Sequence, residues 1–167
     1  MDRKLPLNPE YVFNLNAQIG HAVWQIQALE DTLAHLITIM LRVPQRVALE
    51  EAEEVLENVR KGTLGRLLKE IKESGIMLEG FEKRLDDFLS ERNWLIHRSR
   101  RLHHADIYHD EKFEKLLKRI DTLVEESRVL NREFAAMLES YVISKGVRPK
   151  EITKIANETL DKWVKGN

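Results

Sequence analysis

The sequence predicts an all-α protein, an up-and-down bundle of about five to six helices forming one domain over residues 1–167. Three observations carry this. The chain is rich in Leu, Glu, Lys, Arg and Ala, the residues that lose least on entering a helix. Its 7 glycines and 4 prolines supply too little turn punctuation for a sheet protein. Apolar residues recur at intervals of three and four along most of the chain, the spacing of one buried helical face. With 43% hydrophobic and 33% charged residues in 167, there is material for one compact core rather than two.

The elements follow in order. Asn8-Pro9-Glu10 starts the first helix, with Asn8 as the capping oxygen, Pro9 at the first helical position and Glu10 beside the positive helix end. Val12, Leu15, Ile19, Val23, Ile26, Leu29, Leu33, Leu36, Ile37 and Met40 form its apolar stripe, and Pro44 stops it after about Val43. Gln45–Arg60 reads as a shorter acidic helix ending at Gly62. Thr63 caps a third helix, in which Leu64, Leu67, Leu68 and Ile71 share one face before Ser74-Gly75 ends it. A fourth helix is expected from Leu78 to about Leu102 and a fifth from Asp110 to Ser144. Pro149 opens a short amphipathic helix carrying Ile152, Ile155, Leu160 and Trp163. No internal repeat, low-complexity stretch or linker interrupts the chain.

Composition excludes several classes of function. The absence of cysteine removes disulfides, thiolate metal sites and cysteine nucleophiles, and no cofactor motif is present. The first residues lack the apolar core of a secretory signal and no apolar run approaches the roughly 18 residues of a membrane span, so a cytoplasmic protein with no membrane partner is expected. A net charge of −1, from 27 basic and 28 acidic residues, gives no broad attraction for polyanions; any such site has to be local.

The fourth helix breaks its own pattern. At about 100° per residue, Phe81, Leu85, Phe88, Leu89, Leu95, Ile96 and Leu102 fall in one apolar arc, and Arg92 and Ser99 project near its middle. A guanidinium there needs an anion, a hydrogen-bond network or a polar cleft. Asn93 and His97 stand one turn apart on the neighbouring polar stripe and can address one ligand. On a straight helix Arg92 lies well round from His97, so the three converge only through the reach of the arginine, a kink or a second subunit. An Arg92 bridging to an acid on another helix, with His97 merely on the surface, accounts for the same residues, and the two readings stand side by side.

The segment Glu91-Arg92-Asn93-Trp94-Leu95-Ile96-His97-Arg98 resembles the R-x4-6-H signature of the HEPN superfamily, including the Asn directly after the Arg. Its place late in a helix of a small bundle matches that superfamily too, as does the Thr63-Leu64-Gly65-Arg66-Leu67 turn upstream; the likeness covers about the central half of the chain. The resemblance implies a HEPN-like bundle and metal-independent endoribonuclease activity, with the active site assembled from two copies of the motif across a homodimer. It implies that His97 is the general acid or base, since imidazole exchanges protons near neutrality. Arg92 would stabilise the charge of the phosphorane-like transition state, and Asn93 would orient His97 or the phosphate. The product would end in a 2′,3′-cyclic phosphate. Family members serve in toxin–antitoxin, phage-defence and stress-response systems, so an antitoxin or a nucleotidyltransferase partner is implied as well. In the branch controlled by a nucleotidyltransferase a Tyr that accepts AMP commonly stands two positions after the motif His; this chain has Ser99 there.

Other residues near the motif admit two readings. Arg98, Arg100 and Arg101 form a cationic edge able to hold RNA phosphates, or a solvated helix end favoured by the helix dipole. His103, His104 and His109 read better as loop histidines than as metal ligands, because adjacent histidines point apart and no fixed carboxylate pattern completes a shell. Trp94 falls opposite the apolar arc and is the candidate dimer contact. The rival to the enzyme is a non-catalytic HEPN-like module that binds RNA or a nucleotide or mediates protein interaction, and a plain helical scaffold is the third reading.

Overall fold

The structure, a computed structural model, describes residues 8–43, 47–76 and 80–166. Among these residues there are seven α-helices and no strand: α1 (Pro9–Ile37), α2 (Leu49–Arg60), α3 (Leu64–Ser74), α4 (Phe81–His97), α5 (Ser99–His103), α6 (Asp110–Ser144) and α7 (Pro149–Lys165). The all-α bundle expected from sequence is the fold observed.

Local chemistry sets most ends. The Asn8 side chain accepts from the Glu10 N–H at 3.0 Å, and Thr63 Oγ1 accepts from the Arg66 N–H at 3.4 Å. Gly75, at φ 72°, closes α3 in the left-handed conformation that only glycine adopts cheaply. The α form of the first helix stops at Ile37, earlier than its apolar stripe predicts; Thr38–Arg42 widens into a π turn, with the Val43 N–H reaching back to the Thr38 carbonyl. Arg42 of this turn meets Glu70 of α3 at 2.7 Å. Pro44, and the expected helix starts at Gln45 and Leu78, lie outside the described residues.

Side-chain pairings define the up-and-down arrangement. Tyr11 stacks on Phe113 at 4.4 Å and His21 meets Arg128 at 3.2 Å, so α1 and α6 run parallel. Arg84 pairs with Glu126 and Glu133 while Arg119 pairs with Glu91, so α4 runs antiparallel to α6. The core lies between α1, α3, α4 and α6, around Leu29, Leu33, Leu68, Ile71, Phe88, Ile120 and Phe134. An isolated helix the length of α3 is marginal in water. Its four expected core residues are all buried, each contributing on the order of 2 kcal/mol, and it is this packing that holds α3. Neither α2 nor α7 has a fully buried residue.

The fourth helix departs from expectation in length and in orientation. It ends at His97; Arg98 takes φ −125° and ψ −24°, and a separate short helix, α5, follows. Leu85, Phe88, Leu95 and Ser99 are buried as the arc predicts, but Ile96 is 44% exposed and Leu102 is exposed too, beyond the break. Trp94, expected to face away from the core, is only 5% exposed. Its ring packs edge-on to His103 of α5 at 5.5 Å, and the Arg119 guanidinium of α6 lies 3.7 Å from its centroid. Residues nine apart on an unbroken helix point to opposite sides; the break at Arg98 brings His103 round to Trp94. The premise for Trp94 as a dimer contact therefore fails, because the monomer already covers it.

Candidate functional site

Arg92 projects from the fourth turn of α4 toward α1. One terminal nitrogen donates to Asn93 Oδ1 at 3.2 Å and the other to Glu30 Oε1 at 3.4 Å, while Nε is buried with no partner among the described residues. The side chain is 23% exposed. Glu30 is the acid that the sequence reading left unidentified. Its contact is the longest arginine–carboxylate pairing among the described residues, the others lying at 2.8 Å or less.

Arg119 shows what a settled structural arginine looks like in the same molecule. It holds both oxygens of Glu91, at 2.7 and 2.8 Å, and covers the Trp94 ring. The Arg119 hydrogen bonds lower the Glu91 pKa against the opposing effect of burial, and the Arg119 charge lowers it further. Arg92 has no such fork-to-fork partner, and a buried N–H left unmade costs roughly 1–3 kcal/mol. Local rules are broken in this way more often where a residue is held for function.

His97 closes α4 and is exposed, with no hydrogen bond to any described residue and none to Asn93 one turn before it. The structure brings Arg92 to Asn93 but not to His97, because the break falls after His97 and leaves the helix straight between them. Directly beyond, Arg98, Arg100 and Arg101 are exposed and have no carboxylate within 4.0 Å among the described residues, unlike Arg42, Arg60, Arg84, Arg119 and Arg128. The cationic edge expected from sequence thus offers unneutralised charge beside the exposed imidazole.

Ser99, two positions after His97, is buried, and its hydroxyl donates to the Leu95 carbonyl at 2.6 Å. It helps close the end of α4 and presents no free hydroxyl to a modifying enzyme. The three histidines expected in a loop do not converge: His103 instead ends α5, half-buried, with Nδ1 meeting Asp106 at 2.6 Å, His104 Nδ1 approaches the Arg101 carbonyl at 3.2 Å, and His109 stands before α6. No cluster of three potential metal ligands occurs among the described residues, and no described helix is long and apolar enough to cross a membrane.

Two concavities flank the motif helix. A groove between α4 and α6 is lined by Arg84, Glu91, Arg119 and Glu126, whose charges already satisfy one another. A smaller one between α1, α5 and α6 has Ile19, Leu116 and Ile120 as its apolar lining and Arg100 and His103 beside them. Arg92, Asn93 and His97 line neither. Within one subunit Arg92 and Asn93 are half-buried and His97 is exposed at the end of the helix.

Sequence reasoning missed Glu30, His103 and Arg119. Glu30 had a readable signal: it stands between Leu29 and Leu33 at the edge of an apolar stripe, an acidic intrusion answering the basic one at Arg92. His103 had none, since its contact depends on the break. The fold and the site together define an all-α bundle with a half-satisfied Arg92, its neighbour Asn93 and an exposed His97 beside free cations. Comparison of the chain with protein-family models, with curated proteins and with solved structures found no match.

Proposed function

We propose that this chain is a HEPN-like, metal-independent endoribonuclease whose active site forms when two copies of Arg92, Asn93 and His97 meet across a homodimer. The observation that carries this reading is the unfinished state of Arg92 beside an exposed His97: one loose carboxylate contact, a buried Nε without a partner, and free arginines at the helix end. Arg98, Arg100 and Arg101 hold RNA phosphates flanking the cut. His97 of one subunit removes the ribose 2′-proton, the 2′-oxygen attacks phosphorus, and the bond from phosphorus to the 5′-oxygen breaks. His97 of the partner subunit returns a proton to the leaving oxygen, leaving a 2′,3′-cyclic phosphate and a 5′-hydroxyl. Arg92 offsets the added charge on the pentacoordinate phosphorus, and Asn93 orients the phosphate or the imidazole.

The resemblance of the motif places such an enzyme in a cytoplasmic toxin–antitoxin, phage-defence or stress-response system, restrained by a partner such as an antitoxin. Control by AMP transfer to the position after the motif does not fit this chain, because Ser99 is buried and its hydroxyl is engaged.

One observation favours a second reading. Glu30 draws part of the Arg92 charge into the fold, as it would in a module that binds RNA or a nucleotide without cutting it. Incubation of a mixed RNA pool in EDTA with the wild type and with His97→Ala separates the two. Cleavage that leaves cyclic phosphate ends and disappears in the variant supports the ribonuclease. Retention of RNA by both proteins with no cleavage by either overturns it and leaves the binding module.

A further inference from the structure

The outer face of α1 has no partner among the described residues, and its composition is unlike that of the rest of the chain. No Asp, Glu, Lys or Arg occurs between Glu10 and Glu30, in a protein of which 33% is charged. Phe13 and Trp24 project from this stretch into solvent, each 71% exposed, and they lie three turns apart on the same side of the helix. Between them on that side stand Ala17 and Gly20, both exposed. A glycine in a helix interior costs about 1 kcal/mol relative to alanine. Among the described residues nothing accounts for that cost, since a Cβ built on Gly20 would meet none of their atoms within 4 Å.

We propose that this face is the surface on which a second copy of the same chain docks, α1 against α1 in antiparallel, two-fold symmetric register. A two-fold interface sets a surface against itself, so a face bearing charges of one sign repels its own copy, whereas an uncharged one does not. Depletion of charge and enrichment in aromatics are also what distinguish the cores of protein interfaces. The side-chain sizes are symmetric about the midpoint between Gln18 and Ile19: Phe13 and Trp24 are equidistant from it, and so are Ala17 and Gly20. Antiparallel pairing about that point places Phe13 near Trp24 of the partner subunit and Ala17 near Gly20 of the partner subunit. The small residues let the helix backbones approach at the crossing while the rings close over its two ends. At roughly 150–250 Å² per aromatic side chain, the two exposed rings supply on the order of 300 Å² per subunit, over a third of the ~800 Å² per partner of a standard interface. Uncharged Asn14, Asn16 and Gln27 extend the surface with groups that lose little on leaving water as pairs.

This deepens the functional reading, which calls for a homodimer, by naming the face on which the dimer forms. Glu30, which holds Arg92, lies about 9 Å along the helix axis beyond Trp24 and roughly 120° round the helix from it. The other exposed apolar face, on α7 around Ile155, Leu160 and Trp163, is the competing location; it is rimmed by Lys150, Lys154, Glu158 and Asp161.

Sedimentation equilibrium of the full chain tests the proposal, with wild type, Trp24→Glu, Gly20→Gln and Trp163→Glu. Trp24→Glu is expected to weaken association at least thirtyfold or so, the loss that defines an interface hot spot. Gly20→Gln should dissociate the dimer as well, although it favours the helix and so preserves or raises the Tm of the subunit. Because the chain has no cysteine, Ala17→Cys mixed with Gly20→Cys should form a disulfide between subunits on oxidation. A monomeric wild type overturns the proposal, and so does a dimer that survives Trp24→Glu and Gly20→Gln or that only Trp163→Glu dissociates. Folded monomeric variants that cleave RNA as fast as the dimer would confirm the face and refute the shared active site, so the two ideas can fail separately.

Discussion

The imidazole of His103 packs edge-on against the indole of Trp94, ring centroids 5.5 Å apart, across the break that separates α4 from α5. The contact depends on Arg98 leaving the helical conformation directly after His97. His103 is itself held by Asp106 at 2.6 Å, and the Arg119 guanidinium lies over the indole ring. The end of the motif helix is thus fixed by a small aromatic and ionic cluster, and His97 stands at its rim.

Removal of the indole should be costly. Trp94→Ala is expected to lower stability by about 3–5 kcal/mol, the range for truncating a buried large aromatic. His103→Ala should cost clearly less, since only an edge contact is lost. Urea denaturation of the two variants measures both values; a Trp94→Ala protein as stable as wild type would show that the indole is not part of the core.

Ile96 makes the complementary test. It lies within the apolar arc of the sequence yet is exposed rather than buried. Ile96→Ser should change stability by less than about 0.5 kcal/mol, as a surface substitution does, whereas Leu95→Ala, one residue earlier, should cost about 2–5 kcal/mol.

The Glu91–Arg119 pair contributes a pH dependence of definite sign. Hydrogen bonds from Arg119 hold the Glu91 carboxyl below its usual range in the folded state. A carboxylate with a lowered folded pKa adds stability above its unfolded pKa, and that stability is lost as pH falls through the folded value. Partial exposure of both side chains limits the effect to below about 1 kcal/mol. Glu91→Gln should therefore lower stability slightly at neutral pH and flatten the acid limb of the profile below the ordinary glutamate range. Thermal melts across that range read the difference.

If the cationic edge binds RNA, neutralising it should change the salt dependence as well as the affinity. Each of Arg98→Gln, Arg100→Gln and Arg101→Gln is expected to weaken single-stranded RNA binding and reduce the slope of log affinity against log salt by roughly 0.7. Arg132→Gln, an exposed arginine on α6, should leave the slope unchanged. Equal slopes in all four variants would remove RNA from the account of this edge.

Glu30→Gln addresses the restraint on Arg92. With the carboxylate gone, the guanidinium charge is no longer shared with α1, and RNA affinity should rise by about three- to tenfold, the equivalent of a weak ion pair. Filter binding compares the variant with wild type; a fall in affinity would mean that Glu30 instead positions Arg92.

Sequence reasoning reached far where periodicity and capping act locally. The four-residue face of α3 with its Thr63 cap and Gly75 stop was legible because every signal lies within one short segment. Arg92 and Ser99 were legible as polar intrusions on an apolar arc, since helix geometry alone places them there. The burial of Trp94 was not, because it is covered by Arg119 of α6 and by His103, which the break at Arg98 brings round, and no glycine or proline marks that break.

What the amino-acid sequence determined by itself was the all-α class, the core faces of the first and third helices, and the identity of the residues in the candidate site. These follow from interactions between residues a turn or two apart. Only the tertiary structure decided which acid meets Arg92, that Trp94 is covered from within the subunit, that His97 ends a helix in open solvent, and that the face of α1 free of Asp, Glu, Lys and Arg has no partner among the described residues. Each of those depends on how helices far apart in the chain are set against one another, and on a helix break that neighbouring residues do not announce.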